Sequence, residues 1–140
     1  MKIAVSSMGD KLDAMVDPRF GRCAYFMIVN VENNEIKDFE AIKNPGVTAI
    51  GGAGIQAANI IANKKVEALI SGNIGPNAFN VLSGTGIKIL TGVGGISVKE
   101  SVESYLKGEL KETATPTTPG FGPTKGMGLG RGQGRRRWQK

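Results

Sequence analysis

Apolar residues in this chain come in short blocks set between glycine-rich or charged connections. Ile3-Ala4-Val5, between Lys2 and Ser6-Ser7, reads as a short buried strand. A charged loop from Gly9 to Arg22 follows. Ala24 to Val31 is too continuously apolar for a sheet with one wet face, which predicts a central strand. Asn33-Asn34 then marks a tight turn, because asparagine tolerates the positive φ that two-residue hairpins need. The return strand, Glu35 to Ile42, alternates charged positions with Ile36 and Phe39, as suits an edge.

Past the hairpin the period changes. Gly51-Gly52-Ala53-Gly54 opens a helix in which Ala53, Ala57, Ile60 and Ile61 form a stripe of helical spacing. Val66 to Ile70 is a buried strand, and Gly72-Asn73-Ile74-Gly75-Pro76 turns into a second helix. Pro76 suits a first helical position, where a missing N–H costs nothing, and Gly75 is expected to set the geometry of that turn. Ile87 to Leu90 is another strand. The third helix starts with a capping box at Ser97 to Glu100 and should stop near Gly108. The order βββαβαβα predicts a three-layer α/β/α domain with a mixed five-stranded sheet, its second half joined by right-handed parallel crossovers.

Composition narrows the chemistry. The chain of 140 residues has no histidine and one cysteine, Cys23. That excludes Ser-His-Asp and Cys-His catalysis, imidazole-containing zinc sites and an intrachain disulfide. One thiol also cannot supply the four thiolates that usually hold an iron–sulfur cluster. Charge is partitioned: residues 1–112 hold 12 bases and 12 acids, whereas 113–140 hold 6 bases and no acid. The apolar run at the start is too short for a signal peptide, and nothing approaches the roughly 20 apolar residues of a membrane span. A cytoplasmic protein with no membrane association is expected.

Two regions could carry function. The glycine-rich turns at 51–54, 71–75 and 91–95 each lie between a strand and a helix, and in an open α/β sheet ligands bind beyond the carboxyl ends of the parallel strands. Free N–H groups and positive helix-dipole ends there favour an anion. No turn matches a nucleotide-binding glycine pattern. The second region is Asp17-Pro18-Arg19-Phe20-Gly21-Arg22-Cys23. Arginine forks recognise anions, and a neighbouring guanidinium lowers a thiol pKa, although a lone cysteine is as readily a small core residue. A ribonuclease-like Mg²⁺ enzyme is rejected, because the first strand carries no carboxylate and Asp10, Asp13 and Asp17 sit in a loop expected to be solvated.

Phe20-Gly21-Arg22 before an apolar strand, Gly52-Ala53-Gly54-Ile55-Gln56-Ala57-Ala58, and Ser71-Gly72-Asn73-Ile74-Gly75-Pro76-Asn77-Ala78-Phe79 resemble the dinitrogenase iron–molybdenum cofactor biosynthesis family. That family includes NifX-type carriers and the C-terminal domain of the NifB type. The resemblance covers residues 1 to about 110. It implies a ribonuclease-H-like motif with strand order 3-2-1-4-5 and strand 2 antiparallel. It also implies non-enzymatic binding of an anionic iron–sulfur or iron–molybdenum–sulfur cluster, with a metal-cluster donor or acceptor protein as partner. The residues and the resemblance together nominate Arg19, Phe20, Gly21, Arg22, Cys23, Gly52, Gly54, Gly72, Asn73, Gly75 and Asn77 for cluster binding, with Cys23 as the one candidate metal ligand. The family's histidine near the Phe-Gly motif is missing here, so imidazole ligation is impossible.

From Thr113 the composition turns to threonine, proline, glycine and arginine, with few apolar residues. This predicts a disordered tail over 113–140. Its arginines, interleaved with glycine and Trp138, suggest an alternative role in weak nucleic-acid or polyanion binding through residues 125–140. Because all the net charge lies there, deleting 113–140 should abolish most salt-sensitive retention on a polyanionic resin. Equal retention of the truncated chain would move that binding to the domain.

Overall fold

The computed structural model describes residues 1–48 and 52–113. Five strands, β1 (Lys2–Ser7), β2 (Tyr25–Glu32), β3 (Glu35–Lys43), β4 (Ala68–Ile70) and β5 (Lys88–Leu90), form one sheet in the order β3-β2-β1-β4-β5. β2 is antiparallel to both its neighbours, while β1, β4 and β5 are parallel. Among the described residues a short 3-10 helix (Pro45–Thr48) and three α-helices, α1 (Ala53–Asn63), α2 (Pro76–Gly84) and α3 (Val98–Leu106), come after β3, α1 preceding β4 and α2 preceding β5. The sheet order and the single reversed strand are those the resemblance implied.

β2 shows why its sequence is apolar throughout. Phe26 and Ile28 join Ala4, Leu69 and Ile89 in a core beneath α1 and α2. Met27, Val29 and Val31 join Ile3, Val5 and Ile70 in a second core, closed by Val98 and Val102 of α3. Alternate side chains of one strand thus feed both cores, and a three-layer domain results. β3 lies at the edge and is largely exposed. Asn33 and Asn34 both have positive φ, 54° and 63°, as the hairpin required.

The local signals place all three helices, with changes of detail in α1 and in the flanking strands. In α1 the buried residues are Ala53, Ala57, Ala58 and Ile61, with Ile60 only partly covered. Two adjacent alanines form the contact face, and Ile60 flanks it. β4 and β5 are shorter than the apolar runs that predicted them. Val66 is still leaving the α1 turn after Lys65, whose φ is 57°. α3 carries the full capping box: Glu100 N–H donates to Ser97 Oγ and Ser97 N–H to Glu100 Oε1, both at 3.1 Å.

Thr113 N–H donates to Ile89 O at 2.6 Å, and Thr91 N–H donates to Thr113 Oγ1 at 3.0 Å. Thr113 is thereby tied to the sheet beside β5. The remaining tail residues, 114–140, and Gly51 of the first glycine turn lie outside the described residues. Among the described residues no helix is long and apolar enough to cross a membrane.

Gly72, not Gly75, is the glycine this topology requires. A Cβ on Gly72 would sit 2.5 Å from Pro18 Cα and 2.9 Å from Pro18 Cβ, whereas one on Gly75 would meet nothing within 4 Å. Gly75 has φ −76° and ψ 170°, extended backbone open to any residue, so its conformation does not dictate the start of α2. Gly72→Ala should therefore lower the stability of the fold by about 1–3 kcal/mol, as overpacking against rigid backbone does. Gly75→Ala should stay within about 0.5 kcal/mol of wild type. Denaturant unfolding of the two variants decides between them, and equal stabilities would place the close approach elsewhere.

Candidate anion site at the carboxyl ends of the parallel strands

The segment from Asp17 to Cys23 is pinned across the ends of β1 and β4. Asp17 N–H donates to Ser6 O at 2.9 Å, and Ser6 Oγ donates to Asp17 O at 2.7 Å while lying 2.9 Å from Ser71 Oγ. Pro18 rests on Gly72, Asn73 N–H donates to Pro18 O at 2.8 Å, and Phe20 N–H donates to Asn73 O at 3.3 Å. The Phe20 ring is buried and meets Phe26 with ring centres 5.5 Å apart. Its role is to anchor the loop.

A second tie comes from Asn44, just after β3. Its buried amide donates to Gly21 O at 3.1 Å and Cys23 O at 2.8 Å, and its Oδ1 accepts from Gly46 N–H at 2.9 Å. Gly21 is thereby drawn onto the first turn of α1, where a Cβ would come within 3.1 Å of Gly54 N. Gly54 in turn faces α2, with Ala78 Cβ only 3.6 Å from where its own Cβ would stand.

These contacts gather the N-termini of α1 and α2 beside the arginine loop. Neither helix has a side-chain cap, at Gly52 or at Gly75. The first intrahelical bonds are Gln56 N–H to Gly52 O and Phe79 N–H to Gly75 O, both 3.0 Å. The preceding N–H groups of Ala53, Gly54, Ile55, Asn77 and Ala78 thus have no partner inside their helices. Gly52 takes φ 71° and is exposed, as are Gly75 and Asn77, while Asn73 is half-buried. Arg22 donates through Nη1 to Gly46 O at 3.1 Å. Arg19 pairs with Asp17 at 3.3 Å, yet 61% of its side chain is exposed against 2% for Asp17. That hydrogen bond, and then the Asp17 charge, raise the Arg19 pKa above the usual arginine value.

Several expectations change here. Asp17 is not solvated; it is a buried carboxylate that accepts from Arg19 N–H at 2.9 Å and orients the side chain. The glycine turn at 91–95 does not lead into an open helix end. Ser97 caps α3, and Val98 and Lys99 N–H donate to Ala14 O and Leu12 O. Cys23 is fully buried, and burial first, then the nearby Asp17, push its thiol up from 9.0 to about 12. The thiol is neutral at physiological pH, opposite to the arginine-lowered pKa the sequence suggested. Asn44 was not singled out, although Asn-Pro-Gly is a turn signal through which it could have been found.

Among the described residues no group of three or more His, Cys, Asp or Glu side chains could hold a metal ion. The donors present are main-chain N–H groups and two guanidinium groups, which suit an anion rather than a bare cation. An open depression of about 540 Å³ lined by Lys2, Lys64 and Lys65 lies elsewhere, beside the C-terminus of α1, where lysines offset the helix dipole.

Residues 1–108 match the family described as dinitrogenase iron–molybdenum cofactor. The chain belongs to that family. An uncharacterised protein of Methanocaldococcus jannaschii is 39% identical over 112 residues, spanning 80% of this chain and 91% of the relative. The apo form of the orange protein from Desulfovibrio gigas superposes with TM-score 0.78 at 36% identity, covering 84% of this chain and 96% of that one. A NifB-like protein from Thermotoga superposes with TM-score 0.71 at 34% identity over 85% and 98% of the two chains. Family and neighbours together connect the fold to proteins related to iron–molybdenum cofactor biosynthesis.

The buried thiol has a measurable signature. Above about pH 9 the unfolded chain loses its thiol proton while the folded chain keeps it, so this group lowers stability as pH rises from about 9 towards 12. The loss approaches about 1.4 kcal/mol per pH unit. Cys23→Ala should lack that component when unfolding is compared at neutral and alkaline pH. An identical pH slope in both proteins would show a thiol that is not desolvated.

Proposed function

We propose that the protein binds and carries an anionic metal–sulfur cluster, as cargo and without catalysing a reaction, for exchange with a cluster donor or acceptor protein. The observation that supports this most is the convergence of two uncapped helix N-termini with Arg19 and Arg22 at one end of the sheet. Main-chain N–H groups and guanidinium forks donate to sulfide or oxo faces without displacing the cluster's own ligands. Family membership supplies the class of cargo.

In this reading Arg19, Arg22, Gly52, Gly54, Gly75 and Asn77 face the anion, while Phe20, Gly21, Gly72 and Asn73 hold the loop in place. Cys23 acts in packing. Charge-assisted hydrogen bonds are worth about 1.5–3 kcal/mol each, and about 1.4 kcal/mol is tenfold in affinity. Titration of tetrathiomolybdate under anoxic conditions should therefore show Arg19→Ala and Arg22→Ala each binding about tenfold more weakly, with Cys23→Ser close to wild type. Wild-type affinity in both arginine variants would remove the clasp from these positions. Loss confined to Cys23→Ser would make the thiol a ligand.

A further inference from the structure

A buried carboxylate lies behind the exposed arginine of the candidate site. The main chain of Asp17 ties the loop down: its N–H donates to Ser6 O at 2.9 Å, and its carbonyl accepts from Ser6 Oγ at 2.7 Å. Neither bond involves the carboxylate. Among the described residues the side chain accepts hydrogen bonds from Arg19 alone, from its N–H at 2.9 Å, Nε at 3.3 Å and Nη2 at 3.4 Å.

The bond from Arg19 N–H joins residues two apart, as in an Asx turn. Asparagine makes that turn as well as aspartate, and serine makes it more weakly. What only aspartate brings is a negative charge, and it stands where an anion has to be attracted. Water does little to screen that charge, since the Asp17 side chain is 2% exposed while 61% of the Arg19 side chain faces solvent.

The fork geometry decides what the pair offers. Nε and Nη2 of Arg19 turn back towards Oδ1 and Oδ2 of Asp17, and the other guanidinium N–H groups are left for an anion. The pair therefore presents oriented donors with a charge sum of zero. An anion seated on Arg19 gains hydrogen bonds at contact and is repelled by the carboxylate behind them. At an effective dielectric constant of about 20, one like charge about 12 Å away weakens the binding of a unit anion about tenfold.

We infer that Asp17 is a positioning residue and a built-in counter-charge, which orients Arg19 and holds the affinity of the site down so that a bound anion is readily surrendered to an acceptor. This deepens the anion-binding reading above and rests on it. The donors fix where the anion sits, and the carboxylate limits how tightly it is held.

The test titrates tetrathiomolybdate into the full chain under anoxic conditions. Asp17→Asn keeps the turn and removes the charge, so it should bind at least about tenfold more tightly, with the gain in slower release. The double variant Asp17→Asn/Arg19→Ala has the same charge sum as wild type. It should return close to wild-type affinity, rescuing the loss in Arg19→Ala. Asp17→Ser should reproduce the gain where the asparagine variant folds poorly. A merely structural role for Asp17 predicts the opposite, weaker binding in Asp17→Asn and no rescue of Arg19→Ala. That result would overturn the inference, and the anion-binding reading would stand as long as Arg19→Ala and Arg22→Ala each weaken binding. If wild type does not bind the probe, or both arginine variants bind like wild type, the anion-binding reading fails and this inference fails with it.

Discussion

The arrangement at the carboxyl end of the sheet depends on how closely Pro18 lies against Gly72. That contact lets two backbones, far apart in sequence, exchange hydrogen bonds between Pro18, Asn73 and Phe20. With the loop lowered onto the β4–α2 turn, Phe20 reaches Phe26, and the Asp17 carbonyl accepts from Ser6 Oγ, which also lies against Ser71 Oγ. A larger residue at Gly72 would lift the loop as a whole, because what it meets is backbone rather than a movable side-chain tip.

Asn44 completes the arrangement from the other side. One amide bonds both carbonyls that flank Arg22, and its oxygen holds Gly46, whose carbonyl receives the Arg22 guanidinium. A cation, a loop and the start of α1 are thereby joined by a side chain that is almost wholly buried. Buried amides with several satisfied bonds specify one geometry strongly, since each orphaned partner would cost about 1–3 kcal/mol.

Much of the fold was legible because its signals are local. The apolar run of β2, the Asn33-Asn34 turn and the Ser97–Glu100 box each act within a few residues, and each has the predicted structure. The site was legible in part. The glycine turns and arginines were visible, but their sorting was not. Whether Gly72 or Gly75 is indispensable depends on Pro18, more than fifty residues away. Asp17 looked solvated because nothing nearby in sequence shows that its backbone is tied to Ser6, eleven residues away, in a buried position. The third glycine turn looked equivalent to the others until Leu12 and Ala14 were seen to occupy the start of α3.

The absence of histidine has a further consequence at this end of the molecule. Main-chain N–H groups do not titrate, guanidinium stays protonated, and the buried thiol stays neutral until strongly alkaline conditions. On the proposed anion-binding reading, affinity at this site would not follow cellular acidity, and the site offers no exposed thiolate to oxidants.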